Sequence, residues 1–235
     1  PEITSIHLTP VSGLTTSLTL NCAATVDDED GDTLTVTYSW TNATTEEDLG
    51  SGSSITLTPA TSSPEDVIVC TATVTDPSGT TDVASDTGEV GNTGPTATSI
   101  SISPDSGIDV NTTLTCSMTA TDPDGDALTY TYTWSNPTRG TGYSPSGATL
   151  VLTPSRASPG DTIRCVGTAW DPYGGGDSAI ATVELSNSAP EITSLSLSPS
   201  SVYTDDTITA SVSASDPDGD SVTVSYAWYV DGSLV

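Results

Sequence analysis

Residues 18–40 read LTLNCAATVDDEDGDTLTVTYSW, and residues 112–134 read TTLTCSMTATDPDGDALTYTYTW. Cys22 falls on Cys116 and Trp40 on Trp134, 94 residues apart, and each stretch is followed by a second cysteine, Cys70 and Cys165. Residues 206–228, DTITASVSASDPDGDSVTVSYAW, carry the pattern a third time, with Ala210 at the place of the first Cys and Trp228 in register. A fixed long period makes the chain an array of one unit, and arrays span or bind more often than they catalyse. Pro1, Pro95 and Pro190 open the copies, so the expected repeats are 1–94, 95–189 and an N-terminal half repeat over 190–235. With no initiator Met, no leader and no apolar run long enough to span a bilayer, the sequence is expected to be a piece of a longer protein.

Apolar residues alternate with Thr and Ser, the period of half-buried strands. Leu18, Leu20, Cys22, Ala24 and Val26 share one parity, and Leu34, Val36, Tyr38 and Trp40 another. Copy two repeats this with Leu114, Cys116, Met118 and Ala120, then Leu128, Tyr130, Tyr132 and Trp134. Pro, Gly and Asp clusters punctuate the runs, and no 3.6-residue pattern appears. The chain is therefore all-β. Two equally placed Cys pairs point to disulfides Cys22–Cys70 and Cys116–Cys165, hence to an oxidising, extracellular or cell-surface location. Zinc would need closely spaced ligands, whereas the chain has no C-x-x-C and a single histidine, His7.

Charge narrows the partners. Thirty-one acidic residues face three arginines (Arg139, Arg156, Arg164) and no lysine, for a net charge of −28. Nucleic acid and anionic membrane surfaces are disfavoured as partners, because phosphates would meet carboxylates. Divalent cations suit such a surface.

Units of about 100 residues with seven or so short strands and Cys…Trp…Cys resemble the immunoglobulin-type sandwich. That resemblance implies tandem β-sandwich domains of about 94 residues, with the first Cys on strand B, Trp on C and the second Cys on F. The Trp and the cystine would then be core.

Three acidic side chains follow each strand B: Asp28, Asp30, Asp32; Asp122, Asp124, Asp126; Asp216, Asp218, Asp220. Crowded carboxylates repel one another unless a hard cation takes them as oxygen ligands. The spacing is not that of an EF-hand, whose Gly is placed differently and whose closing Glu position holds Thr133. A polar turn alone would also use Asp and Gly. Asp76 lies six residues past Cys70 and Asp171 six past Cys165, the same offsets that Asp28 and Asp122 have from their cysteines. In the implied fold, strands B and F run the same way, so these residues converge at one end, in the B–C and F–G loops. That end faces the tail of the preceding unit. The linkers Asn92-Thr-Gly-Pro95 and Asn187-Ser-Ala-Pro190 resemble the N-x-A-P linkers of cadherin-like repeats, which adds Asn92, Asn187 and Glu191 as candidate Ca²⁺ ligands. Altogether the chain is similar to bacterial immunoglobulin-like tandem repeats of the PKD and cadherin-like kind, found in large secreted or cell-surface proteins. It lacks the W-D-F-G-D-G, L-D-R-E and D-x-N-D-N motifs of those families.

No Ser or Cys stands near a base in the sequence, and paired carboxylates that recur in every repeat suit a structural ion better than glycoside hydrolysis. A non-catalytic spacer, stalk or filament segment is expected, stapled by disulfides and stiffened by interdomain Ca²⁺. Its partners are neighbouring repeats or copies of the same protein. The alternative is an adhesin module binding a glycan or protein through Ca²⁺, for which Trp170 and Tyr173, flanking Asp171, are the candidate contacts; an enzyme's accessory repeat is a third reading. Asn42-Ala-Thr and Asn111-Thr-Thr are sequons. The half repeat should hold strands A, B and C and expose the inner face of Ile208, Val212, Val222, Val224 and Trp228, through truncation or for strands from another chain.

Overall fold

The computed structural model describes residues 1–144 and 147–235. Seven strands build the first sandwich: β1 (Glu2–Thr9), β2 (Thr19–Asp27), β3 (Thr35–Asn42), β4 (Glu47–Ser51), β5 (Ser54–Thr56), β6 (Val67–Thr75) and β7 (Thr81–Glu89). They form one sheet in the order β1-β2-β5 and a second in the order β4-β3-β6-β7. This is an immunoglobulin-like arrangement in which the fourth strand lies beside β3 and extends the second sheet. In the second repeat, β8 (Thr96–Ser103), β9 (Thr113–Thr121), β10 (Thr129–Asn136), β11 (Thr141–Gly142), β12 (Thr149–Val151), β13 (Thr162–Trp170) and β14 (Gly176–Glu184) give the orders β12-β9-β8 and β11-β10-β13-β14.

Alternation decides which side chains meet. On β2, Leu20 and Cys22 point inward; on β6, Ile68, Cys70, Ala72 and Val74 do so. The Cys22–Cys70 and Cys116–Cys165 disulfides join the two sheets within each sandwich, across sequence separations of 48 and 49 residues. Closing loops of that length stabilises each sandwich by about 4 kcal/mol in the chain-entropy account. Trp40, opposite Cys70 in the β3–β6 register, is fully buried and donates its indole N–H to Gly52 O at 2.8 Å. Trp134 does the same with Gly147 O.

Carboxylates on β7 seal the open edge of β1. Asp82 accepts the Ile3 N–H at 2.8 Å and Asp86 the Leu8 N–H at 2.7 Å; Asp177 takes the Ala97 N–H likewise. Edge N–H groups left bare would invite pairing with another chain. Past β1 the chain crosses to the end of β7. Leu14 makes a parallel bridge with Val90 and is packed so closely on Gly88 that a Cβ there would stand 2.6 Å from its methyl. That crossing carries Thr16 to the end of the sandwich.

Two compact units result. One comprises Pro1–Thr98, Thr119–Tyr130 and Thr168–Asp177; the other comprises Ser99–Met118, Thr131–Gly167 and Ser178–Val235. The first therefore holds the first sandwich together with the acidic loop 122–126 and Asp171. The second holds the Cys116–Cys165 core and the half repeat.

In the half repeat, β15 (Glu191–Ser198) pairs with β16 (Thr209–Ser215), with a register shift between Ile192 and Ser194 that matches the one between Ile3 and Ser5. The expected strand C is a correction: residues 221–228 form no ladder, and only a short hairpin, β17 (Tyr229–Val230) with β18 (Ser233–Leu234), follows. In the first sandwich strand C pairs with β4 and β6, and a strand without a ladder partner cannot satisfy its backbone groups. Ile208, Val224 and Trp228 are exposed, and Val212 and Val222 are half-buried.

Candidate metal centre

The acidic loops are built alike. In each, the first aspartate uses Oδ1 to hold the turn: Asp28 accepts the N–H groups of Asp30 and Asp32, Asp122 that of Asp124, and Asp216 that of Asp218. Gly31, Gly125 and Gly219 close these turns at φ of 74°, 81° and 83°, a region that costs glycine little. The F–G aspartates make similar turns. Asp76 Oδ1 accepts from the Ser78 hydroxyl and from the Ser78 and Thr80 N–H groups, which hold its carboxyl below the usual range. Asp171 Oδ1 accepts from the Tyr173 and Gly175 N–H groups.

The loops differ in what surrounds them. Asp122, Asp124 and Asp126 each bring a carboxylate oxygen within 4.8 Å of the others, and among the described residues they form the one such group of three. Asp171 joins this end through Asn92, whose side-chain amide donates to Asp171 Oδ2 at 2.9 Å. Burial pushes the Asp171 carboxyl up, but the Asn92 amide and the N–H groups of Gly175, Tyr173 and Gly174 outweigh it and hold it low. Asp126 is the reverse. Burial, then the charges of Asp122, Asp124 and Asp171, push its carboxyl up.

Two oxygens of this cluster stand apart. Asp122 Oδ2 and Asp126 Oδ2 are buried and have no hydrogen-bond partner among the described residues. A buried bare carboxylate oxygen costs more than a weak surface repulsion. Two of them beside a third carboxylate form an all-oxygen donor set that fits a hard cation.

Other candidates lie elsewhere. Asp28 lies beside Pro1, while Asp30 and Asp32 are exposed. Asn187 donates to Ser188 O instead of reaching the loop at 216–220, although the Ser188 N–H binds Asp218 Oδ2 at 2.5 Å. Trp170 is 42% exposed, and its ring lies against Gly176, where a Cβ would approach it to 2.6 Å. Burial, followed by the fields of Asp126, Glu65, Asp66 and Asp124, raises the Tyr173 hydroxyl, which places that ring in acidic surroundings. Asn42 is 1% exposed and donates its amide to Asp66, so the first sequon is closed off in the folded chain.

The sequence gives no hint of two further contributors. Thr16 donates its hydroxyl to Asp124 Oδ1 at 2.6 Å, with both side chains buried, and the Thr93 N–H donates to Asp124 Oδ2 at 2.7 Å. Threonine is so common in this chain that position alone could not single them out.

The two cystines fit an oxidising compartment, where such bonds persist. Among the described residues, no helix is long and apolar enough to cross a membrane.

No protein-family model matches the chain, and no curated protein sequence matches it. Among solved structures it is similar to a two-domain fibronectin type III segment from chicken tenascin, at 13% identity and a TM-score of 0.42, over 77% of this chain and 97% of that one. Immunoglobulin domains 1–5 of Sidekick-1 match at 17% identity and 0.40, over 91% of this chain and 46% of that one. Cadherin domains 3–6 of protocadherin gamma B2 match at 14% identity and 0.30, over 87% and 52%. The chain thus spans about half the length of the last two.

Proposed function

We propose that this segment is an extracellular spacer of two repeats and the N-terminal half of a third, bounded at 94/95 and 189/190, in which Ca²⁺ braces the ends where successive sandwiches meet. The observation that carries the reading is the pair of bare buried oxygens, Asp122 Oδ2 and Asp126 Oδ2. Asp122 and Asp126 would supply ligands, with Asp171 and Asn92 adjoining them through their own hydrogen bond. Bound there, the ion supplies positive charge that removes the repulsion among the carboxylates. The residues do the rest: Asp122 Oδ1 shapes the loop, and Asn92 ties the linker to the F–G turn. Neighbouring repeats, or copies of the same protein, are the partners of such a spacer, and its kinship lies with PKD and cadherin-like repeats.

Calorimetric titration of the full chain with Ca²⁺, and scattering in Ca²⁺ against EGTA, test this. Saturable binding with a longer, stiffer particle is expected. No binding, or an unchanged particle, would sink it.

Trp170 favours a second reading, an adhesin in which this end presents the ion to a glycan or protein, because a large aromatic is exposed one residue from Asp171. Ca²⁺-dependent glycan binding that disappears in Trp170→Ala would support it.

A further inference from the structure

We infer that the middle carboxylate of the second and third acidic loops is a latch onto the preceding repeat, and that the residue at the position shared by Thr16 and Val110 decides how firmly each latch closes. The latch belongs to the same loops as the calcium brace but closes without the ion, so the two stand or fall separately.

Backbone hydrogen bonds establish the equivalence. The Gly91 N–H donates to Leu14 O at 2.9 Å, and the Ser186 N–H donates to Ile108 O at 2.8 Å. Two residues past those carbonyls stand Thr16 and Val110, both 0% exposed. The middle aspartates of the following loops are equally buried, Asp124 at 5% and Asp218 at 6%.

Asp124 is fully engaged. One oxygen takes the Thr16 hydroxyl at 2.6 Å, and the other takes the Thr93 N–H at 2.7 Å. Both donors belong to the repeat or linker before the loop. Asp218 repeats only half of this: Oδ2 takes the Ser188 N–H, whereas Oδ1 is buried with no partner among the described residues. Val110, with the shape of threonine but no hydroxyl, has no donor to offer from the equivalent position. Asn111 steadies the same loop from the side, its amide donating to Pro217 O at 3.0 Å, yet it leaves the carboxylate oxygen bare.

A lost hydrogen bond to a charged, buried acceptor weakens local closure severalfold to a hundredfold. The Thr16–Asp124 latch is thus the tighter of the two, and the array carries junctions of graded stiffness. The identity of one residue sets the grade.

Amide hydrogen exchange on the full chain in EGTA tests the latch, because the Thr93 and Ser188 N–H groups are themselves parts of it. Thr16→Val, isosteric and using the residue found at position 110, should speed Thr93 exchange on the order of tenfold while the β6 amides keep their rates. Val110→Thr should slow Ser188 exchange comparably. Unchanged Thr93 exchange in Thr16→Val overturns the latch, as does unchanged or faster Ser188 exchange in a folded Val110→Thr chain. If Thr16→Val abolishes Ca²⁺ binding while leaving exchange in EGTA unaltered, Thr16 and Asp124 serve the ion and the latch is also overturned. If the chain binds no Ca²⁺ at all, the calcium brace fails and the EGTA rates still decide the latch.

Discussion

Asn42 donates its side-chain amide to Asp66 Oδ2 across 2.7 Å inside the first sandwich, and Asn136 meets Asp161 in the same way at 2.8 Å in the second. The pair ties the turn after strand C to the turn before strand F. Asn42 Oδ1 accepts the Thr44 and Thr45 N–H groups, and Asp66 accepts that of Ser63. Asn42→Ala leaves the buried Asp66 short of a donor and should cost about 2–3 kcal/mol. Thermal unfolding should show the first sandwich melting roughly 10 °C lower. A shift within ±2 °C would show that solvent replaces the amide.

The second copy of this pair gives a pH dependence. Burial pushes the Asp161 carboxyl up, but the Asn136 amide, the Ser158 N–H and the Arg139 guanidinium at 2.6 Å outweigh it and hold it below the ordinary carboxylate range. A carboxyl whose pKa is lower in the folded state stabilises the fold fully above its unfolded pKa, about 4, and loses that contribution as pH falls through the folded value. The stability difference between wild type and Asp161→Asn should therefore be constant from pH 7 to 5 and shrink below about pH 4. A difference that grows on acidification would contradict the sign. Urea titrations across that range provide the measurement.

The staples make a third prediction. Replacing Cys22 and Cys70 together by Ala should remove about 4 kcal/mol from the first sandwich, with a similar loss for Cys116 and Cys165. Calorimetry of each double variant should lower one transition and spare the other. Lowering both equally would mean that the sandwiches unfold as one cooperative block.

How much of this is legible in the sequence depends on whether a property is local. The alternation at Leu20, Cys22, Trp40 and Cys70 reports the inward faces directly, because strand period is a property of consecutive residues. The two Cys pairs are legible from their equal placement, and their position between the sheets from the immunoglobulin resemblance. Residues 221–228 carry the same alternation as β3 and yet form no strand, since pairing depends on a partner that their own sequence does not encode. The three aspartates of each loop look equivalent on paper. Folded, they divide: Asp122 shapes its loop, Asp124 reaches Thr16 and Thr93, and Asp126 is left bare. Asn92 and Asn187 occupy the same linker motif but make different contacts, because side-chain direction is settled by neighbours and not by motif.

Asp126 offers the sharpest separation of repulsion from ligation. Its carboxyl is pushed up by burial and by Asp122, Asp124 and Asp171, so its charge opposes folding when no cation is present. Asp126→Asn keeps the shape and removes the charge. In EGTA the variant should be more stable than wild type, on the order of 1 kcal/mol or a few degrees in Tm. In Ca²⁺ the order should invert. An ion at a hundredfold excess over its Kd stabilises the wild type by about 2.7 kcal/mol, and the variant would forgo most of that. Melting curves of both proteins with and without Ca²⁺ give four numbers, and the crossing of the two pairs is the diagnostic. Parallel behaviour, with the variant weaker in both buffers, would make Asp126 a structural side chain whose bare oxygen is satisfied by water.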